Sequence, residues 1–183
     1  MIRFFDFIFS FFGLLILSPF IVILWVIGFF DTGSPIFAQE RVGKNKQPFK
    51  LFKFRSMHVN TKSVATHLAS QASVTKWGSF LRKSKLDELP QLFNVLFGDM
   101  SLVGPRPNLF NQQDLIEERD KRGVYKVVPG ITGEAQINKI DMSTPKLLAE
   151  TDAVMTQNLT FKKYIYYIVV TVLGKGSGDR IKQ

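Results

Sequence analysis

Apolar side chains run almost without interruption from Phe7 to Phe30. No ionisable group falls within these about 24 residues, enough for a helix to cross a bilayer core. Two short runs follow, Ile36–Val42 and Phe49–Arg55, joined by Gly43-Lys44-Asn45-Lys46-Gln47-Pro48. Glycine, asparagine and proline suit a turn, so this segment predicts a β-hairpin. Phe52 and Phe54 fall on the face opposite Phe49 and Leu51, which predicts a hairpin covered on both faces.

Beyond the hairpin the pattern changes period. Asn60 to Lys76 is small and polar and reads as a loop with some helix. Leu86, Leu89, Phe93 and Leu96 recur at helical spacing and predict an amphipathic helix. Phe110–Arg122 reads as a polar helix supported by Glu117–Lys121 and Glu118–Arg122 pairs, with Gly123 placed to end it. Pro129-Gly130-Ile131-Thr132-Gly133 reads as a turn, and Thr144-Pro145 opens a further helix with proline in its first position. Phe161–Leu173 mixes lysines, tyrosines and aliphatic residues over a length too short to span. It fits a membrane-interface helix and a buried core helix equally well. Gly174-Lys175-Gly176-Ser177-Gly178 has the composition of a phosphate loop without its spacing, and reads as a flexible tail.

The apolar run at the start admits three readings. A cleaved signal peptide is the weakest, because no small-residue cleavage site ends the run. A single spanning helix fits the length. A hairpin rests on Ser18-Pro19 near the middle: Pro19 removes a backbone donor, and Ser18 is placed to bond the carbonyl left over. In that case both ends stay on one side, with Arg3 and Asp6 at the headgroups.

Charge narrows the partners. The 183 residues suffice for one domain and carry a formal net charge of +9, so anionic partners are expected. Arg41, Lys44, Lys46, Lys50, Lys53 and Arg55 follow the apolar run closely, which by the positive-inside tendency puts the body in the cytoplasm. The absence of cysteine excludes disulfides, thiolate nucleophiles and cysteine metal sites. His58 and His67 have no metal-ligand spacing and read as ordinary polar residues.

Candidate chemistry concentrates between Leu81 and Pro107. Asp87 and Glu88 are adjacent carboxylates at or just before the first turn of the amphipathic helix, with Arg82, Lys83 and Lys85 close in sequence; Ser84 is spaced to cap that turn, whereas Pro90 puts the start of the regular helix nearer Leu89. The positive end of that helix favours ionised acids and also suits a phosphate. First-turn acids also serve merely to complement a helix dipole. Pro105-Arg106-Pro107 reads either as a rigid surface turn or as an arginine held ready for a phosphate.

The run Ser84–Pro107, with Asp-Glu-Leu-Pro-Gln and then Gly-Pro-Arg-Pro, resembles the core signature of the bacterial sugar transferase family, the monotopic phosphoglycosyl transferases. Four other segments resemble family blocks in the same order: Ser18-Pro19, Gln39-Glu40-Arg41-Val42-Gly43, Lys53-Phe54-Arg55-Ser56-Met57, and Pro129 to Gly133 with Ala135-Gln136. The resemblance covers nearly the whole chain. It implies an α+β, mostly helical fold with a re-entrant membrane helix-break-helix over 1–33, a catalytic domain with one β-hairpin and amphipathic interfacial helices over 34–173, and a tail over 174–183.

It also implies roles. Asp87 would be the nucleophile, Glu88 would help hold Mg2+, Arg82 would bind a phosphate near the membrane surface, and Pro105 and Arg106 would contact the nucleotide. A UDP-sugar would donate a phospho-sugar to polyprenyl phosphate at the cytoplasmic face of a bacterial inner membrane, releasing UMP. Membrane lipids would be partners and nucleic acid would not; a homo-oligomer is compatible with the sequence. The Phe110–Glu118 stretch resembles members acting on N-acetylated deoxyamino sugars. The chain departs from the family pattern at Glu134, where a large apolar residue is usual, at Lys163, where an acid is common, and loosely at Asn158-Leu159-Thr160. A non-catalytic basic membrane adaptor is the rival reading, and a membrane-held nucleic-acid binder has no recognition motif to support it.

Overall fold

The computed structural model describes residues 1–61 and 73–174. His67, most of the expected Asn60–Lys76 loop and the tail beyond Gly174 lie outside these residues. The first element, α1, is one helix from Ile2 to Thr32, and the chain stays helical through Pro19. The carbonyl that the missing Pro19 N–H would have bonded is that of Leu15, and the Ser18 hydroxyl donates to it at 2.8 Å. Gly33, in the left-handed region at φ 72°, ends the helix and returns its N–H to the Phe29 carbonyl at 2.8 Å.

Helix α1 is long and apolar enough to cross a membrane, and most of its surface is exposed. Yet it touches the rest of the protein near both ends. Asp6 is buried, and its Oδ1 accepts from the Ser101 hydroxyl at 3.0 Å, the Leu102 N–H at 2.9 Å and the Tyr164 hydroxyl at 2.8 Å. Arg3 donates to the carbonyls of Val95 and Leu96. Further along, Leu24 is buried with Phe54 and Leu81, flanked by Ile21, Trp77, Leu86 and Leu89. Burying a leucine of this kind contributes ~1.5–3 kcal/mol.

The expected hairpin forms from β1 (Ile36–Val42) and β2 (Pro48–Phe54), antiparallel with Ile36 opposite Phe54 and Val42 opposite Pro48. Leu51 and Phe54 are buried in two different clusters, so both faces are covered as the alternation predicts. Two helices follow, α2 (Lys76–Ser84) and α3 (Gln91–Phe97), separated by a 3-10 turn at Leu86–Glu88. The expected amphipathic helix therefore takes regular form only from Gln91, directly after Pro90, and Leu86–Glu88 form a separate turn before it. Ser84 does not cap the acidic turn; it is the last residue of α2, and its hydroxyl returns to the Phe80 and Leu81 carbonyls.

Helix α3 also faces the other way from its apolar pattern. Gln91, Asn94 and Val95 are buried, whereas Phe93 and Phe97 are exposed and tilt against each other. Asn94 explains the inversion. Its Oδ1 accepts the Phe52 N–H at 3.0 Å and its Nδ2 donates to the Lys50 carbonyl at 2.7 Å, so it completes the free edge of β2.

The remaining elements are β3 (Ser101–Val103), α4 (Gln113–Lys121), β4 (Gly130–Thr132), α5 (Glu134–Ile137), α6 (Pro145–Gln157) and α7 (Phe161–Val172). Strands β3 and β4 pair in parallel, so the segment at Pro129–Gly133 is a strand with flanking residues rather than a turn. The pairing needs glycine: a Cβ on Gly130 would lie 2.0 Å from the Gly104 nitrogen. Pro145 occupies the first turn of α6 as expected, although the Thr144 side chain makes no cap bond. Glu118, not Glu117, pairs Lys121 at 2.9 Å, and it also pairs Arg122. Helix α7 buries Tyr164 and Tyr167 in the core, while Tyr166, Val169 and Val172 are exposed on its outer face. The fold is α+β and mostly helical, with a short parallel pair besides the hairpin.

Candidate active site

Asp87 and Glu88 sit in the 3-10 turn between α2 and α3, bracketed by Leu86 and Leu89. Those two leucines pack into the cluster around Leu24, Phe54 and Leu81. The alternation apolar, acid, acid, apolar thus pins the turn by its outer residues and presents the acids between them. Lys85 enters the turn in the left-handed region at φ 60°. Asp87 is only 3% exposed.

Glu88 faces two cations. Its Oε1 lies 2.9 Å from Arg106 Nη2 and 3.7 Å from Lys53 Nζ, and the Glu88 side chain is 11% exposed. Arg106 comes from the loop after β3, while Lys53 comes from β2. Three elements distant in sequence therefore meet at the acidic turn. Lys53 is the participant that sequence reasoning missed as a site residue. Two signals were present: it opens the segment Lys53 to Met57 that resembles a family block, and it lies between Phe52 and Phe54 in the hairpin, where a buried lysine needs an acid to face.

Arg82 lies in the last turn of α2, and its Nε donates to the Ser56 hydroxyl at 2.8 Å. The approach of α2 to Ser56 is close because Gly78 has no side chain; a Cβ there would lie 2.0 Å from the Ser56 carbonyl oxygen. The Thr75 hydroxyl caps α2 through the Gly78 N–H at 2.8 Å and donates to Asp31 at 2.7 Å, which ties α2 to the end of α1. Ser18 and Pro19 are not part of the acidic cluster. They lie in α1 three and two residues before Ile21, which packs beside Leu86 and Leu89.

The loop bearing Pro105 and Arg106 is held along its backbone. Pro105 O accepts from Gly130 N at 2.9 Å, Arg106 O from Arg119 Nη1 at 2.9 Å, Pro107 O from Arg41 Nη1 at 3.1 Å, and Asn108 O from Val42 N at 2.9 Å. Arg119 is 1% exposed and pairs with Asp152 at 2.6 Å. Burial pushes the Asp152 carboxyl above its ordinary range, and the Arg119 guanidinium opposes that rise. Burial also pushes Tyr125 up; its hydroxyl donates to Asn108 Oδ1 at 3.0 Å.

At the far side, the Glu134 carboxyl accepts from the Tyr167 hydroxyl at 3.1 Å. Burial and this acidic neighbour push the Tyr167 phenol up to about 12. The unusual residue at position 134 is thereby matched by a donor on α7. His58 is exposed, in keeping with an ordinary polar role. Among the described residues, no cluster of three or more metal-ligating side chains occurs.

The family model described as bacterial sugar transferase matches residues 1–175. An uncharacterized sugar transferase, EpsL, of Bacillus subtilis is 42% identical over 141 residues, covering 76% of this chain and 69% of that protein. The UDP-glucose:undecaprenyl-phosphate glucose-1-phosphate transferase of Escherichia coli is 48% identical over 132 residues, 68% of this chain and 28% of that protein. The undecaprenyl-phosphate galactose phosphotransferase of Salmonella typhimurium is 38% identical over 163 residues, 78% of this chain and 34% of that protein. The chain thus spans about a third of the length of these last two relatives.

Proposed function

We propose that this chain, which belongs to the bacterial sugar transferase family, moves a phospho-sugar from a UDP-sugar to a polyprenyl phosphate by way of an Asp87 adduct. The observation that carries the reading is the convergence of Glu88, Arg106 and Lys53 beside Asp87. A helix-capping role for the acids would need neither Arg106 nor Lys53. Relatives named for transfer of glucose phosphate and galactose phosphate to undecaprenyl phosphate support the substrate classes, and they differ from each other in the sugar.

In the first step a carboxylate oxygen of Asp87 attacks the phosphorus that bears the sugar. The bond from that phosphorus to the bridging oxygen breaks, and UMP leaves. In the second step an oxygen of polyprenyl phosphate attacks the same phosphorus. The Asp87 oxygen departs, the carboxylate is regenerated, and a polyprenyl diphosphate-sugar forms. The acyl phosphate stays reactive toward the second phosphate, so two easier steps replace one difficult step. The low exposure of Asp87 would limit loss of this adduct to water.

Arg106 and Arg82 would supply cationic charge to the diphosphate, with Pro105 beside the nucleotide. Lys53 would hold Glu88 in place and share its charge. Magnesium fits the donor set in one way: it is commonly held by one or two carboxylates together with substrate phosphates, and Glu88 offers a carboxylate next to Asp87. Bound there, it would neutralise charge that builds on the leaving phosphate.

The reading also places α1 shallowly in the cytoplasmic face of an inner membrane. Asp6 and Leu24 are separated by ~27 Å of helix and both are buried against one body. A helix crossing the bilayer away from that body would leave one of them without its partners. Exposed Phe93 and Phe97 on α3 and the outer face of α7 would meet lipid on the same side. With α1 lying along the body as one helix, Met1 and the body would stay on the same side of the membrane, leaving both termini cytoplasmic. The purified protein, incubated with UDP-sugars and polyprenyl phosphate, should release UMP in step with lipid product. UDP as the only stoichiometric nucleotide would reject the mechanism.

A further inference from the structure

We infer that Arg119 and Arg41 are positioning residues whose buried guanidiniums fix the backbone on either side of the Arg106 side chain and so aim it at Glu88. The inference rests on the reading that Arg106 contacts substrate, and it concerns residues that the signature around Asp87 does not include.

The geometry is unusual in one respect. Four successive carbonyls, from Pro105 to Asn108, are all engaged, and the two middle ones by side chains rather than by backbone. A loop exposed to water would leave such carbonyls to solvent. Here Arg119 reaches the Arg106 carbonyl from α4, and Arg41 reaches the Pro107 carbonyl from β1. Both are buried, Arg119 at 1% exposure and Arg41 at 7%. With its main chain held at each peptide and prolines restricting φ on both sides, Arg106 keeps freedom only in its side chain.

Arg119 is itself over-determined. Its Nε and Nη2 donate to Asp152 Oδ2 at 3.0 and 2.6 Å, and its Nη1 reaches Arg106 O and Asn108 Oδ1, each at 2.9 Å. Asp152 belongs to α6 and Tyr125, the second donor to Asn108, follows α4. The planar fork therefore links α4, α6 and the Arg106 loop with one side chain. A lysine keeps the charge against Asp152 but cannot donate in two directions from a fixed plane. The same argument applies to Arg41, which bonds Pro107 O and Gln39 Oε1 together.

The test is a double-variant cycle on the full chain in detergent, reading kcat and KM for a UDP-sugar that the wild type turns over, UDP affinity, and Tm. Arg106→Ala, Arg119→Lys and the double variant are compared. Misplacement by an ångström costs on the order of 100-fold, so Arg119→Lys should lower kcat/KM by ~10–100-fold. It should raise KM and weaken UDP binding as Arg106→Ala does, and the double variant should lose no more than Arg106→Ala alone. Losses that multiply in the double variant, or a fall in kcat with KM and UDP affinity unchanged, would overturn the inference. If Arg119→Lys does not fold, the same cycle with Arg41→Lys decides by the same criteria. Should Arg106→Ala keep wild-type kcat/KM and UDP affinity, the substrate-contact reading of Arg106 fails instead, and the positioning inference falls with it.

Discussion

Alanine at Gly78 is expected to cripple the site without touching any charged residue. A Cβ there would lie 2.0 Å from the Ser56 carbonyl oxygen and 2.5 Å from its carbonyl carbon. Reaching ordinary contact at 3.4 Å means a relative shift of ~1.4 Å between α2 and the segment after β2. The obstacle is backbone, so no rotamer relieves it. Alanine favours a helix over glycine by ~1 kcal/mol, whereas overpacking of this kind costs ~1–3 kcal/mol. The clash should win by up to ~2 kcal/mol, lowering Tm by as much as about 8 °C. Activity should suffer more than stability. Arg82 is on the next turn of α2 and bonds Ser56, and a shift above 1 Å at an arginine proposed to hold a substrate phosphate would cost on the order of 100-fold. The assay is UMP release at saturating carrier, alongside thermal unfolding in detergent. Wild-type kcat/KM with an unchanged or higher Tm would refute the reasoning, because helix propensity would then have outweighed the clash.

Two further predictions concern the anchor and the metal. A single cysteine at Ile2 in this cysteine-free chain should resist an impermeant maleimide added to intact cells, and efficient external labelling would favour a spanning helix. Glu88→Gln should slow adduct formation and respond to raised Mg2+, since a weakened metal site is partly offset by mass action; indifference to magnesium would remove Glu88 from the metal role.

How much of this was legible from sequence depends on which force set each element. The hairpin, α6 and α7 follow from local patterns, and the structure keeps their positions to within a few residues. Helix α3 shows where that logic reverses. Its apolar residues predict a buried stripe, but Asn94 is drawn inward to complete the β2 edge and Phe93 and Phe97 turn outward. An apolar pattern alone does not reveal a polar side chain that satisfies a strand edge. The segment at Gly130–Thr132 looked like a turn because glycine and proline dominate it, whereas its glycine serves close strand approach. The acidic pair was visible in sequence, and so was Arg106. Lys53 and Arg119 were not, because their partners lie 35 and 33 residues away and only the fold brings them together. Arg3 and Asp6 dock α1 to the body, a role that their place ahead of the apolar run does not reveal.

The central claim is that Asp87 carries the phospho-sugar. It is tested most directly by quenching the protein with a labelled UDP-sugar, in the absence of carrier, and mapping the adduct by mass spectrometry. The wild type should carry one phospho-sugar on Asp87, released when polyprenyl phosphate is added, and Asp87→Asn should carry none while still folding. An adduct on Glu88, or full turnover by Asp87→Asn, would contradict the account.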